Sequence, residues 1–515
     1  MQRKRIAAAL AVVTATSPLM APPAQAQNSL ASQEITWQRC FDPVPPGFPP
    51  GAERLQCGSF TAPMDWNNPH NGKTITIAVS RTVPLNGNAK TTVFTNPGGP
   101  GGAGRTLPLI YLNRPKLSEN AEIVGIDVRG TGGSDNVTCG NYQHRLATDW
   151  RDRSKANLDL IYGGMELQAR FCQTKSGELG RYITTEQTVR DLDLLRQVMG
   201  REKVSWLGYS GGSWMGAYYA TYFPRTLDKI VLDSNTEFTE SWQKVFDNLP
   251  AGAERRFRVD YLPWVAKYDN VFHLGKTAEE VRQKYETTRA RLAEQPVTLP
   301  DGTVVTPVLL DALFFTGLYD KDAFEATTVL FAQIAGVPPA ALAKAQPPKQ
   351  YPDALMGTQM SILCNDTPFR GDRRTLEREG DRSVRKYSLV GGYQITGPCA
   401  WWDRPDVNLK RPNGVGMDSA LMVQSVRDPA TPLEGARRAH RKFANSRLLT
   451  VQDEGDHGIY GFSNDCVSGV VESYLVDGVV PAKDLSCPGE PLPAPGEGTG
   501  NPLTKARELA VQLGW

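Results

Sequence analysis

Apolar and polar positions along the chain alternate between strand-like and helix-like periods. Thr74 to Val83 (TITIAVSRTV) and Thr91 to Asn96 (TTVFTN) carry the β-branched content of strands, and Glu122 to Asp127 (EIVGID) is an apolar run of buried-strand length. A helix with visible ends comes next. Thr184 and Gln187 form a T-x-x-Q capping box, Val189, Leu192, Leu195 and Met199 recur at three- and four-residue steps, and Gly200 stands where the helix should stop. Val204 to Leu207 then reads as a short strand, Gly211 to Phe223 as a helix rich in small residues, and Lys229 to Asp233 as another strand. Strands alternating with helices predict an α/β fold, with a largely parallel sheet covered on both faces by helices.

From Glu237 to Pro412 the alternation stops. The segment becomes helical and aromatic, with Trp242, Phe246, Phe257, Tyr261, Trp264 and Tyr268, and a charged helix is expected over Ala278 to Glu294. The sheet pattern resumes at Ala420 to Ser425 (ALMVQS), followed by a helix near Glu434 to Phe443 and a strand over Arg447 to Gln452 (RLLTVQ). The expected organisation is therefore one core, residues 27–236 and 413–487, split by an inserted helical cap at 237–412. A Pro/Gly-rich surface tail follows at 488–515.

Residues 1–26 have the form of an export signal: Arg3, Lys4 and Arg5, an apolar run from Ile6 to Val13, and Ala24-Gln25-Ala26 as a small-x-small cleavage site. No later stretch is long and apolar enough to span a bilayer, so release from the cell, without stable membrane insertion, is the expectation. The formal net charge is +2, and because residues 1–26 hold three bases and no acids, the remainder stands at −1. A balance so near neutral argues against nucleic acid or another polyanion as the main partner. Eight cysteines, an even number, fit an oxidising compartment. They fall as four neighbouring couples, so sequential pairing is expected: Cys40 with Cys57, Cys139 with Cys172, Cys364 with Cys399, and Cys466 with Cys487. Zinc is the rival use of such residues, yet no C-x-x-C occurs and the five histidines do not cluster with cysteine at ligand spacing. No metal site is expected.

The strongest local signal is Gly208-Tyr209-Ser210-Gly211-Gly212, a G-x-S-x-G between a predicted strand and a predicted helix. A serine there occupies a tight turn that exposes its hydroxyl at a helix N-terminus. The hydroxyl is a poor nucleophile alone and needs a base within hydrogen-bond reach and an acid to orient that base. Downstream, His273 lies in the cap and His440 in a basic helix, whereas His457 follows a resumed strand on the glycine-flanked loop Glu454-Gly455-Asp456-His457-Gly458. His457 is the candidate base. The acid should follow the preceding strand, as Asp428 does in Arg427-Asp428-Pro429-Ala430-Thr431-Pro432, and Asp453 and Asp456 are the sequence-adjacent rivals. The order Ser210, Asp428, His457 is that of α/β hydrolases.

Attack at a carbonyl creates an oxyanion, which needs preorganised N–H donors. Gly211 offers one by position, and Gly98 or Gly99 in Asn96-Pro97-Gly98-Gly99-Pro100-Gly101-Gly102 offers the other. A phosphate-binding loop is the rival reading, but neither G-K-[ST] nor G-x-G-x-x-G completes it. This chemistry calls for no cofactor.

Together these motifs resemble the secreted tripeptidyl aminopeptidases of the proline iminopeptidase family of α/β hydrolases. The resemblance rests on N-P-G-G-P-G at 96–101, Asp127-Val128-Arg129-Gly130-Thr131-Gly132-Gly133-Ser134, the elbow at Ser210, Asp428-Pro429-Ala430-Thr431-Pro432, and Gly455-Asp456-His457-Gly458 followed by Cys466 and Cys487. It implies the α/β-hydrolase fold and release of short peptides, typically tripeptides, from free N-termini through an acyl-enzyme. Asp127 and Arg129 are implied as loop supports. A secreted esterase using the same three residues is the alternative. Relatives commonly carry a bulky residue after the nucleophile, so Gly211 implies a missing wall in the acyl pocket. An exopeptidase must also hold the substrate amine, for which Glu237, Glu240 and Asp366 are candidates. The oligomeric state stays open, with a monomer favoured.

Overall fold

The computed structural model describes residues 30–142, 148–299, 302–336, 352–461 and 464–498. The expected export signal and the last part of the expected tail lie outside these residues. Ten strands form one sheet in the order β1-β2-β3-β5-β4-β6-β7-β10-β11-β12. They are β1 (Gln38–Arg39), β2 (Gln56–Pro63), β3 (Thr74–Thr82), β4 (Thr91–Asn96), β5 (Ala121–Ile126), β6 (Val204–Tyr209), β7 (Leu227–Asp233), β10 (Ala420–Ser425), β11 (Ser446–Gln452) and β12 (Leu485–Pro488). From β5 to β12 all neighbours are parallel, and β1, β2 and β3 add an antiparallel end. The two remaining strands, β8 (Val297–Thr298) and β9 (Val304–Val305), make a separate hairpin between β7 and β10.

Every residue of β5, β6 and β10 is buried, as expected for parallel strands covered on both faces. One face packs under Val189, Leu192, Leu195, Trp214 and Tyr218, and the other under Val467, Val471 and Tyr474. The α/β-hydrolase architecture is the one expected. The helix after Thr184 spans Thr185–Val198 and Gly200 follows it at φ 65°. Its capping box is only half formed. Thr184 Oγ1 accepts from the Gln187 N–H at 3.2 Å, whereas the Gln187 side chain accepts from the Trp66 N–H at 2.8 Å instead of returning to the cap.

Three elements lacked a clear sequence signal. β2 and β12 are short or polar and owe their place to neighbours. The helical stretch Lys155–Gly180, broken at Gly177 (φ 57°, ψ −145°), buries Gly164 and Gln168 along with Ile161, Tyr162 and Met165, so its packed face does not read as an apolar stripe. Between β7 and β10 the regular elements among the described residues are helices apart from the β8–β9 hairpin, and the helix Ala278–Glu294 has the expected ends. The four disulfides join the sequential couples Cys40–Cys57, Cys139–Cys172, Cys364–Cys399 and Cys466–Cys487. Among the described residues no helix is long and apolar enough to cross a membrane.

The stretch after Cys487 is more than a loose surface tail. Pro493 O accepts from Trp264 Nε1 at 2.8 Å, the Gly496 N–H donates to Glu325 at 2.7 Å, and Glu490 O accepts from Lys321 Nζ at 3.3 Å. An extended Pro-rich chain has no internal hydrogen bonds, so its backbone groups are available to cap side chains.

Arg129 is fully buried and welds β2, the Tyr182 turn and the helix Thr185–Val198 together. Its Nε and Nη2 donate to the two oxygens of Asp191, each at 2.7 Å, and the guanidinium also reaches the carbonyls of Met64 (2.9 Å), Pro63 (3.1 Å) and Tyr182 (3.2 Å). Arg129→Met would leave Asp191 as an uncompensated buried charge. The expected loss, read by chemical denaturation, is about 3–5 kcal/mol of folding stability.

Candidate active site

Ser210 sits between β6 and the helix Gly211–Tyr222 at φ 55°, ψ −119°, a conformation rare for a residue with a side chain. Close packing imposes it. A Cβ at Gly208 would lie 2.3 Å from Gly212 O, and one at Gly212 would lie 2.6 Å from Asn96 O, so the motif's glycines let two backbones nearly touch. Asp233 O accepts from the Ser210 N–H at 2.9 Å, and Ser210 O accepts from Ser213 Oγ at 2.6 Å.

Asp428 follows β10 and His457 follows β11. His457 Nδ1 lies 2.9 and 3.0 Å from the two oxygens of Asp428, leaving Nε2 as the ring nitrogen available for chemistry. The Asp428 carboxylate is fully buried and accepts further bonds from Ala430 N–H (2.8 Å), Thr431 N–H (2.7 Å) and Thr431 Oγ1 (2.9 Å). Thr431, unnoticed in sequence, thus orients the acid. The sequence-adjacent rivals are used otherwise. Asp456 accepts from Arg256 Nη2 at 2.6 Å and the Lys321 N–H at 2.9 Å, and Asp453 is exposed beside Arg427. His440 pairs with Ser446 and Asp484 away from this site.

A second carboxylate that sequence reasoning missed holds the two loops in register. Asp233, at the end of β7, is fully buried and accepts from the Ile459 N–H (3.1 Å) and the Tyr460 N–H (2.7 Å), while Ser234 Oγ accepts from the Gly458 N–H (2.7 Å). Burial pushes Asp233 up to about 6, against the pull of those N–H donors and of His457. The turn carrying Ser210 and the loop carrying His457 are therefore anchored to one residue pair. Its sequence signal was slight: an Asp-Ser ending a strand.

Of the candidate oxyanion donors, Gly98 is corrected. Its N–H donates to Asn96 Oδ1 at 2.9 Å and is already used. Gly98 serves by closeness instead, since a Cβ there would stand 2.3 Å from Tyr209 O. Gly99 N lies beside Gly211, 3.2 Å from where a Gly211 Cβ would be, so the Gly99 and Gly211 N–H groups are the neighbouring pair. That contact also corrects the expectation about Gly211. A side chain here would press on the Gly99–Pro100 backbone, 3.1 Å from Pro100 N, so its lack does not open the pocket in that direction. Asp127 braces the loop by accepting from the N–H groups of Gly104 (2.8 Å) and Arg105 (3.0 Å) and from Gly133 N–H (2.8 Å).

The three carboxylates considered for the substrate amine are engaged elsewhere. Glu237 is buried and bidentate with Arg438, both contacts 2.7 Å. Glu240 pairs with Lys442 at 2.7 Å, which holds its carboxyl below the usual range. Asp366 is buried and accepts from Thr185 N–H (2.7 Å), Thr185 Oγ1 (2.6 Å) and Trp242 Nε1 (3.2 Å). Each acid has a structural partner that exposure-blind sequence reasoning could not supply.

Comparison with known proteins bears out the fold. Residues 91–291 match the family described as alpha/beta hydrolase fold, and residues 387–487 the family described as TAP-like protein. A tripeptidyl aminopeptidase of Streptomyces lividans is 32% identical, with the match covering 86% of this chain and 85% of that one. The chain belongs to the tripeptidyl aminopeptidase family of α/β hydrolases. Within this family's wider reach stand serine protease Hip1 of Mycobacterium tuberculosis, 25% identical over 88% of this chain and 91% of that one, and carboxylesterase B of the same organism, 23% identical over 84% and 86%. As a member of the family the chain is an enzyme, a serine hydrolase.

Two outcomes follow from the geometry. Thr431→Val removes one hydrogen bond to the charged Asp428 while keeping shape, and is expected to lower kcat roughly tenfold to a hundredfold with the fold intact. Burial pushes Asp366 up to about 6, although Thr185 and Trp242 pull it down. A raised folded-state value means that its contribution to stability is complete below the unfolded value of about 3.9 and is lost as pH rises through the folded one. The melting temperature of Asp366→Asn relative to the parent should therefore rise between about pH 4 and pH 7.5.

Proposed function

We propose that the protein is a secreted serine exopeptidase that releases short peptides, tripeptides in particular, from free N-termini. The observation that carries the reading is the Asp428–His457 pair, 2.9 Å apart, anchored through Asp233 to the same strand end as the Ser210 elbow. The relatives named tripeptidyl aminopeptidase and serine protease supply the peptide substrate. Secretion is supported by the signal-like residues 1–26 and by four disulfides.

In this mechanism His457 Nε2 takes the Ser210 proton as Oγ attacks the scissile carbonyl, and the Nδ1–H bond to Asp428 fixes the tautomer and stabilises the imidazolium. The N–H groups of Gly211 and Gly99 receive the developing oxyanion. His457 then protonates the leaving amine, and a water deprotonated by the same nitrogen releases the acyl peptide. Recognition of the free amine remains part of the proposal, through a carboxylate other than the engaged forms of Glu237, Glu240 and Asp366.

The same three residues would hydrolyse esters, and carboxylesterase B is among the relatives. A chromogenic tripeptide amide with a free amine, its N-blocked twin and a short acyl ester separate the two. Cleavage of the free tripeptide is expected, with the blocked twin inert. Ser210→Ala is expected to lower turnover by roughly 10⁴-fold or more while the melting temperature stays near the parent's. Equal cleavage of the blocked twin would refute exopeptidase action, and cleavage of the ester alone would refute the peptide substrate.

A further inference from the structure

The helix Pro307–Gly317 turns two adjacent phenylalanines to different surroundings. Phe314 is buried in an aromatic core with Phe257, Tyr261 and Tyr285, whereas Phe315, about 100° further round the helix, is only half-buried. Phe315 packs edge-on against Tyr319 at 5.3 Å between ring centroids and lies 6.4 Å from Tyr393, which meets the buried Trp150 at 5.7 Å. The series ends on the candidate base: the rings of Tyr319 and His457 meet edge-on at 5.0 Å, and Tyr319 O accepts the His457 N–H at 2.9 Å. Phe315, Tyr319 and Tyr393 all keep partial exposure, and Trp150 beneath them does not.

We propose that Phe315, Tyr319 and Tyr393 form the subsite for the leaving portion of the substrate, and that it takes bulky apolar side chains. The inference rests on the serine hydrolase mechanism above. The leaving group must lie within hydrogen-bond reach of the His457 nitrogen that protonates it, so a wall built against the His457 ring flanks the leaving side. Half-exposed aromatic rings gain by covering apolar surface and offer no counter-charge to an acidic residue. For a tripeptide-releasing enzyme this subsite receives the first residue of the shortened product.

The test uses free-amine peptides with one constant tripeptide and a leaving residue of Phe, Leu, Gly or Asp. Phe and Leu are expected to exceed Gly in kcat/KM by about tenfold, with Asp lowest. Phe315→Ala and Tyr393→Ala should remove most of that preference while leaving the Gly peptide within about twofold, and Phe315→Leu should keep an intermediate preference. Deacylation, read from kcat for the p-nitrophenyl ester of the same tripeptide, should not change, because every substrate gives one acyl-enzyme. A fall shared equally by all leaving residues, or a shift in preference on the acyl side, would overturn the assignment. If peptides are not cleaved at all, the exopeptidase reading fails separately. Esters of one acid with methanol and with 2-phenylethanol then decide the subsite: a phenylethyl preference lost in Phe315→Ala supports it, and no preference in the parent refutes it.

Discussion

A single buried carboxylate, Asp233, ties the Ser210 turn to the His457 loop. Asp233 closes β7, the strand between β6, which leads to Ser210, and β10, which leads to Asp428. Its backbone oxygen takes the Ser210 N–H and its side chain takes two N–H groups just beyond His457. The Ser210 turn and the His457 loop would otherwise have independent freedom at the crevice where the sheet ends. Burying a carboxylate is costly unless donors surround it, and here the donors are the very groups that must be positioned. The cost of burial and the precision of the site are the same arrangement seen from two sides.

The helical insertion is fastened to the base loop by charge. Arg256 joins Asp260 and Asp456, Lys321 joins Glu454, and Arg427 returns to Asp260. Gly252 brings an inserted helix so close that a Cβ there would lie 2.8 Å from Asp428 O. The alternation of sign keeps each buried ion compensated, so loss of any one member strands its neighbours. The insertion is thus a wall of the site, with Tyr319 presented directly to His457, and its own aromatic core makes that wall rigid.

Much of this was legible in the chain because periodicity and punctuation coincide. The parallel strands carry β-branched or apolar runs, and Ser210, Asp428 and His457 each stand just past one of them. The order of elements therefore singles out Ser210, Asp428 and His457 as candidates, and the structure pairs Asp428 with His457. What stayed hidden depends on partners far away in sequence. Gln187 reads as a capping residue, yet Trp66 and Arg129 recruit its side chain. Gly98 and Gly99 are interchangeable as letters, and only the turn of Asn96 back onto Gly98 tells the used donor from the free one. Glu237 and Asp366 read as candidates for the substrate amine because nothing local announces Arg438 or Thr185. Likewise β12 is too short to be recognised and exists only because β11 receives it.

That last strand gives the short stretch after the helix Asp465–Asp477 a part in holding the His457 loop. β11 delivers the base, but as the chain emerges it has no partner on its outer side until β12 arrives and pairs Leu449 with Leu485. The Cys466–Cys487 bridge then fastens β12 to the helix Asp465–Asp477, and the stretch from Glu490 to Gly496 straps the insertion from outside. Reduction of that bridge would loosen the hold on β12, and a sheet without β12 would end on β11 as an open edge.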